Sequence, residues 1–312
     1  MQVRFFMKTF FLASILLSLF YCSGYFNMNN SDEADGDLSL ALADGSGYLS
    51  TDNYNEITPF LYRNPDNGKA YLFFASDRDG NYDIYYAEMD DKGKFSKPTK
   101  MDANINTTND ETSPVVFKAV SSGASFTTNT YVSLIKLTLG AGKQVYTYQI
   151  DSLNFTNISS VDCSNIQAAN IGLLDKTNVG PYLLVTTNGT NFSEYYWDEY
   201  GHGWTFYSSR DFSSDLPILS VDGFSYDYEH SFIINVMVEN KYRLYGGYYC
   251  IEPPTNYLYP IKEYSSSYND KDPCIDLATM KVYFASDRYG KGNYDLYRYN
   301  ILTFDEVMQL PK

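Results

Sequence analysis

The chain has 312 residues, 44% of them hydrophobic and 17% aromatic, and a formal charge of −15. That charge repels phosphate backbones and no basic stripe offsets it, so nucleic acid is excluded as a partner. The 32 Tyr and 20 Phe fall in short apolar runs separated by Gly, Asn, Asp and Ser, which reads as all-β because rings pack well on pleated surfaces.

In chain order, residues 1–21 read as a signal peptide. Arg4 and Lys8 make a basic start, and Phe10 to Tyr21 is an apolar stretch of 12 residues, too short to span a bilayer. No later segment approaches the roughly 18 apolar residues of a transmembrane helix. Cys22 directly follows the apolar run, where a lipoprotein signal places its acylated cysteine, so lipidation at Cys22 is expected. Ordinary cleavage after Gly24 is the alternative, since Tyr21 is bulky for a lipobox. The expectation is an exported protein, periplasmic or associated with the outer membrane, that touches a membrane only through a lipid anchor. The alternative is a soluble periplasmic or secreted protein. Residues 22–54 read as an acidic tether with a lead-in strand near Leu38 to Ala43, and 55–312 as the folded domain.

From residue 55 the chain repeats itself. Tyr71 to Tyr85 reads YLFFASDRDGNYDIY and Val282 to Tyr297 reads VYFASDRYGKGNYDLY, each a strand, a tight turn and a second strand. These residues resemble the TolB-like, WD-repeat-like β-propeller family, whose pattern runs from an acid and Ser/Thr-Pro through F-A-S-D-R to G-x-x-D-I-Y. The resemblance covers about 55–117 and 268–312, with Glu111-Thr112-Ser113-Pro114 opening the second unit. Between 120 and 267 only strand patterning and spacing continue it.

Pro59, Pro114, Pro217 and Pro273 stand 55, 103 and 56 residues apart, so one unmarked unit begins near Ile166. Five blades of four strands are therefore expected, and the 38–50 segment is the candidate for a sixth. The predicted strands are 57–63, 69–76, 82–90 and 95–101, then 112–120, 129–139, 143–151 and 154–161. The third blade takes 165–174, 181–188, 191–199 and 203–209, and the fourth 216–222, 230–239, 241–251 and 256–263. The fifth closes with 273–278, 281–287, 294–301 and 304–310. Leu72-Phe73-Phe74-Ala75 has no polar face, as befits a strand sandwiched between neighbouring blades.

In the two hairpins, Ser76, Asp77, Arg78 and Asp83 and their counterparts Ser286, Asp287, Arg288 and Asp295 read as structural. Asp77 and Asp83 would accept from turn N–H groups while Arg78 pairs locally. A calcium loop through Asp77, Asp79, Asn81 and Asp83 is the rival reading. The glycine is misplaced for it, and the last blade substitutes Tyr289 and lengthens the turn. No metal and no cofactor is expected. Glu56, Glu111, Asp215 and Asp272 precede the first strands of their blades. They form either an acidic funnel at the channel mouth, for a cation, a sugar or a basic peptide, or merely the turns into the blades. Tyr196, Trp197 and Trp204 sit among further aromatics and acids in the third blade, as a candidate binding surface or as packing between blades.

His202 and His230 lie in no nucleophile–base motif, so no catalytic residue is expected. The family resemblance implies a non-catalytic cell-envelope propeller, a binding or scaffold module for an envelope protein or peptide. The alternative is a carbohydrate-active enzyme or glycan-binding protein of the five-bladed type, which as an enzyme would need two carboxyls about 5–10 Å apart in the channel.

Overall fold

A computed structural model describes residues 40–122, 128–138, 144–150, 155, 159–164, 166–176, 182–198, 203–212, 214–226, 229–250, 255–260, 268–279, 281–288 and 292–300. All regular structure among them is β-strand. Blade 1 holds β1 (Glu56–Arg63), β2 (Ala70–Ser76), β3 (Asp83–Met89) and β4 (Thr99–Lys100). Blade 2 holds β5 (Glu111–Ser122), β6 (Thr128–Thr138), β7 (Gln144–Ile150) and β8 (Ser159–Ser164). Blade 3 holds β9 (Asn170–Lys176), β10 (Tyr182–Thr186), β11 (Asn191–Asp198) and β12 (Gly203–Asp211). Blade 4 holds β13 (Ile218–Tyr226), β14 (Glu229–Val238), β15 (Lys241–Cys250) and β16 (Thr255–Pro260). Blade 5 holds β17 (Asp270–Asp276), β18 (Lys281–Ser286) and β19 (Asp295–Asn300). Each blade is an antiparallel meander in chain order.

The first strands of the blades touch in a closed circuit, β1 to β5, β9, β13, β17 and back to β1, so the molecule is a five-bladed propeller around a central channel. The fourth strand expected at 304–310 lies outside the described residues. Among the described residues, the segment before β1, 40–55, makes no sixth blade. It contributes only isolated bridges, Ala41 to Tyr48 and Leu42 to Phe95, while Leu40, Leu42 and Leu49 are buried at the seam between blades 5 and 1. There the Leu40 N–H donates to the Leu296 carbonyl (3.3 Å) and the Phe95 N–H to that of Ala41 (3.0 Å). Cys22 and the rest of residues 1–39 lie outside the described residues.

The apolar core lies between blades, which explains why the inner strands lack a polar face. Leu72, Phe73, Phe74 and Ala75 are all 0% exposed. Blades 3 and 4 meet through Leu174, Leu184, Phe192, Ile218, Phe232 and Ile234, and blades 4 and 5 through Ile233, Leu244, Val282, Phe284, Tyr297 and Tyr299. Polar side chains staple the inner strands as well. Both Asp222 oxygens accept backbone N–H groups from neighbouring blades, Leu173 at 3.1 Å and Ile275 at 2.7 Å. Arg63 forms a two-pronged pair with Asp276, at 2.9 and 2.6 Å. Burial pushes the Asp276 carboxyl up, but hydrogen bonds from Arg63 and Thr279 outweigh it and hold the group below its ordinary range.

Blades 3 and 4 approach most closely, since β9 and β13 also pair in parallel and fuse the two blades into one eight-stranded sheet. Gly172 permits this: a Cβ there would stand 1.9 Å from the Val221 carbonyl oxygen. Backbone cannot yield as a flexible side chain does, so Gly172→Ala should cost about 3 kcal/mol or more. Urea denaturation of the variant measures this, and a loss under 1 kcal/mol would mean the two strands are free to separate.

Candidate functional site

The inner strands of blades 1, 2 and 5 open with one tetrapeptide pattern: Glu56-Ile57-Thr58-Pro59, Glu111-Thr112-Ser113-Pro114 and Asp270-Lys271-Asp272-Pro273. In each, the residue before proline has positive φ, 49° at Thr58, 52° at Ser113 and 55° at Asp272. The strand register slips at the same place in all three. A residue preceding proline normally stays extended, and each left-handed conformation costs on the order of 1–3 kcal/mol. The bulge turns these three side chains toward the channel and sends the acid two residues earlier into the protein.

Those acids are latched. Glu56, 0% exposed, accepts from Ser76 Oγ (3.1 Å) and Arg78 Nη2 (2.9 Å). Asp270, also 0% exposed, accepts from Arg288 Nη2 (2.9 Å), and Arg288 Nε donates to Ser286 Oγ (3.0 Å). In blade 2 the partner cation of Glu111 is Lys136 at 3.3 Å, buried on β6, and Thr107 donates its N–H at 2.9 Å. Blade 3 buries a different pair, on its outer strands, Glu194 of β11 with Arg210 of β12, 2.9 Å on both prongs. Glu56 and Glu111 are therefore architectural, and the repeat equivalent of both is Asp270. Asp272 falls instead at the Thr58 and Ser113 position, and Asp215 is exposed before β13. The expected set of four equivalent mouth acids is corrected accordingly.

Burial pushes the Glu56 carboxyl up to about 7 from an ordinary 4.5, against the pull of Arg78. Between those values the folded protein holds a proton that the unfolded chain has released, so stability falls as pH rises through the window. Glu56→Gln should flatten the fall in melting temperature between pH 4.5 and 7. A fall of the same size in the variant would mean that other groups cause it.

Asp272 differs from the latched acids. Its side chain is 11% exposed, and Oδ2 stands 3.7 Å from Lys271 Nζ. Oδ1 accepts from Asn170 Nδ2 at 3.2 Å, a bond that links blade 5 to blade 3 across the channel. A cavity of about 20 Å³ opens here, lined by Thr58, Ser113, Asn170, Ser220 and Asp272 with their neighbours. The hydroxyls of Ser113 and Ser220 are buried without a hydrogen-bond partner. A space of that size holds one water, and buried hydroxyls are rarely left unsatisfied. Below, beyond Asp222, the channel widens into a second cavity of about 370 Å³.

Tyrosines surround the mouth. The Lys271 ammonium sits 4.1 Å from the centre of the Tyr294 ring and 5.9 Å from that of Tyr242. Burial, then Asp77, Asp110 and Asp272, push the Tyr82 phenol up to about 12, and Tyr294 is raised by burial and by Asp287, Tyr242 and Asp272. Both phenols stay neutral and can donate hydrogen bonds. Asp110 accepts the Tyr82 N–H at 2.9 Å. Such a combination of rings and carboxylates gives a sugar flat contact area and oriented polar partners.

The remaining expected residues fall elsewhere. Asp77 does not bond turn N–H groups but accepts from Asn55 N and Nδ2 (2.8 and 2.7 Å), and Asp287 from Asn269 in the same way (2.7 Å for both). Both tie their hairpin to the loop before the inner strand. Asp83 faces Lys100 on β4 at 2.7 Å, because it opens β3 instead of lying in the turn, and Asp295 holds the matching place opposite Ser286. Asp79 also binds Lys100 (3.0 Å), so Asp79 and Asp83 share one protein cation while Asp77 is held by Asn55. Trp204 is no binding surface. Its Nε1 donates to Thr147 of blade 2 (2.9 Å), and it packs on Trp197 and Phe117 with ring centres 5.4 and 6.2 Å away. Tyr196 is 38% exposed on the outer part of the same blade, remote from the channel strands. Reading by sequence missed Asn170, Lys271, Ser220, Tyr242 and Asp110. Tyr82 and Tyr294 stood in plain view inside the repeated Gly-Asn-Tyr-Asp.

No family model matches the chain, and no curated protein matches it in sequence. Solved structures share its fold. The GH43 endo-arabinanase from Bacillus licheniformis matches with a TM-score of 0.57 at 11% identity, over 91% of this chain and 98% of that one. An exo-β-1,3-galactanase from Phanerochaete chrysosporium matches with 0.61 at 11% identity, over 91% and 66%. An α-L-arabinofuranosidase from Podospora anserina matches with 0.56 at 10% identity, over 86% and 95%. These neighbours correct the TolB-like resemblance: the propeller is of the kind found in glycoside hydrolases. The F-A-S-D-R hairpins that suggested TolB-like repeats encode the Ser–Arg–acid latch of the blade, which is architectural chemistry. The expected non-catalytic scaffold falls with that resemblance, since these structural neighbours are named as enzymes acting on glycans. An envelope-protein partner loses its support, and a glycan partner gains it.

Proposed function

We propose that this propeller is a glycoside hydrolase that takes its glycan at the tyrosine-ringed channel mouth. The observation that carries the reading is the water-sized cavity with two partnerless hydroxyls, Ser113 and Ser220, beside the Asp272 carboxylate. A water seated there lies against Asp272, which acts as general base and takes a proton from that water as its oxygen attacks the anomeric carbon of a sugar above it. Asn170 and Lys271 orient the carboxylate. Tyr82, Tyr242 and Tyr294 supply the apolar contact and hydroxyl donors for the sugar. Hydrolysis needs a second carboxyl as acid, which protonates the leaving oxygen, and we assign that role to Asp110, which accepts the Tyr82 N–H at 2.9 Å. The arabinan- and galactan-degrading names of the fold neighbours support a plant-type polysaccharide as substrate class.

The test is release of reducing ends from arabinan, β-1,3-galactan and nitrophenyl glycosides by residues 40–312. Turnover on at least one, with binding competed by the free sugar, is the expected result. A folded protein that neither binds nor cleaves any of them overturns the reading.

A further inference from the structure

A cavity of about 740 Å³ lies not at the mouth but at the opposite end of the channel strands, in the seam between blades 1 and 5. β1 runs from Glu56 at the mouth to Arg63, which lines this cleft, so roughly 23 Å of strand separates the two places. The volume falls within the usual range for small-molecule sites, about 300–1,000 Å³.

The charge of the cleft runs against that of the molecule. Arg63, Lys69, Lys92, Lys281 and Arg298 line it against Glu88, Asp90 and Asp91, with Arg63 paired to Asp276 and Lys69 to Glu88 (2.7 Å), in a chain of net charge −15. The register explains the convergence from blade 5. Lys281 and Tyr283 lie two residues apart on β18, and Arg298 is the cross-strand partner of Tyr283, so all three share one face. That face is held against blade 1 by Arg298 Nη1 donating to the Gly93 carbonyl (2.6 Å) and by the Tyr283 hydroxyl on Met89 Sδ (3.8 Å). From blade 1 the turn Asp90–Lys94 brings Lys92. Of the two acids of that turn, Asp90 and Asp91, the first is occupied with backbone: Asp90 Oδ1 accepts the Lys92 N–H at 2.9 Å and the Lys94 N–H at 2.8 Å. At about 0.15 M salt the Debye length is near 8 Å, so the cations of the cleft act on a ligand inside it while the distant acidic surface is screened.

We infer that this cleft is a second ligand site, taking the carboxylate or sulfate group of an acidic sugar. Its oxyanion chemistry stands on the cleft alone, while the choice of a sugar as carrier rests on the glycan reading above. Such a site would hold an acidic branch or end of a polysaccharide whose neutral part occupies the mouth.

Isothermal titration with oligogalacturonate, with a neutral galactan oligomer and with inorganic sulfate tests the inference. Oligogalacturonate should bind and sulfate should compete with it. Lys92→Ala, on an exposed turn, and Arg298→Gln should each lower the affinity about tenfold. Asp272→Asn should leave this affinity unchanged, which separates the cleft from the mouth. Sulfate binding without oligogalacturonate binding keeps the anion site but rejects the sugar as its carrier. Equal affinity for the neutral oligomer, or full affinity in Lys92→Ala, overturns the inference even if hydrolysis at the mouth stands.

Discussion

Asp272→Asn should lower glycan hydrolysis by about 10²–10⁴-fold while leaving the melting temperature nearly unchanged. The amide keeps the size of the side chain and its oxygen can still accept from Asn170 Nδ2, but it cannot take a proton from water. The left-handed backbone at this position, φ 55°, tolerates asparagine as well as aspartate, so the bulge survives. Asp110→Asn offers a contrast. If Asp110 protonates the leaving group, its loss should slow polysaccharide cleavage strongly but spare nitrophenyl glycosides, whose leaving group needs no proton. The comparison is made by measuring kcat and KM for both variants on both substrate types. Full activity in Asp272→Asn would remove the general base from the mechanism, and an equal loss on both substrates in Asp110→Asn would remove the acid.

Arg288→Ala should destabilise the protein by about 3–5 kcal/mol. The guanidinium bonds Asp270, Ser286 and the Tyr299 hydroxyl, and it lies 5.1, 4.9 and 5.2 Å from the ring centres of Phe284, Tyr297 and Tyr299. Removing it leaves the Asp270 carboxylate, 0% exposed, without its compensating charge. It also strips the stacked rings of blade 5 of their polar cap. Arg288→Lys should recover only part of the loss, because an ammonium cannot reproduce the fork that reaches Ser286 and Asp270 together. Replacing both charges, as Asp270→Leu with Arg288→Met, should cost less than the single Arg288→Ala, since no buried charge is then left unpaired. Chemical denaturation of the three variants measures this. A loss below 1 kcal/mol in Arg288→Ala would show that the latch does not carry the blade.

Much of this protein is legible without coordinates because its determinants are local. A proline near the start of four of the five inner strands, with a doubled interval where the third is unmarked, runs such as Leu72 to Ala75 without a polar face, and glycine turns at the hairpins place most strands and set the blade count at five. The latch is local as well, for Ser76 and Arg78 lie two residues apart and their acid is only 20 positions upstream of the serine. Which acid faces the channel, by contrast, is set by the folded ring. By strand alternation Glu56 and Thr58, or Asp270 and Asp272, should point to the same side. The bulge breaks that parity, because a left-handed residue before proline slips the register and rotates the following side chains, so Asp270 is buried and Asp272 stands at the mouth. The same holds for contacts made by distant segments. Trp204 finds Thr147 in the neighbouring blade, and Asn170 meets Asp272 across 102 positions of chain. Such partners share no spacing in the sequence, since closing the ring of five blades is what brings them together.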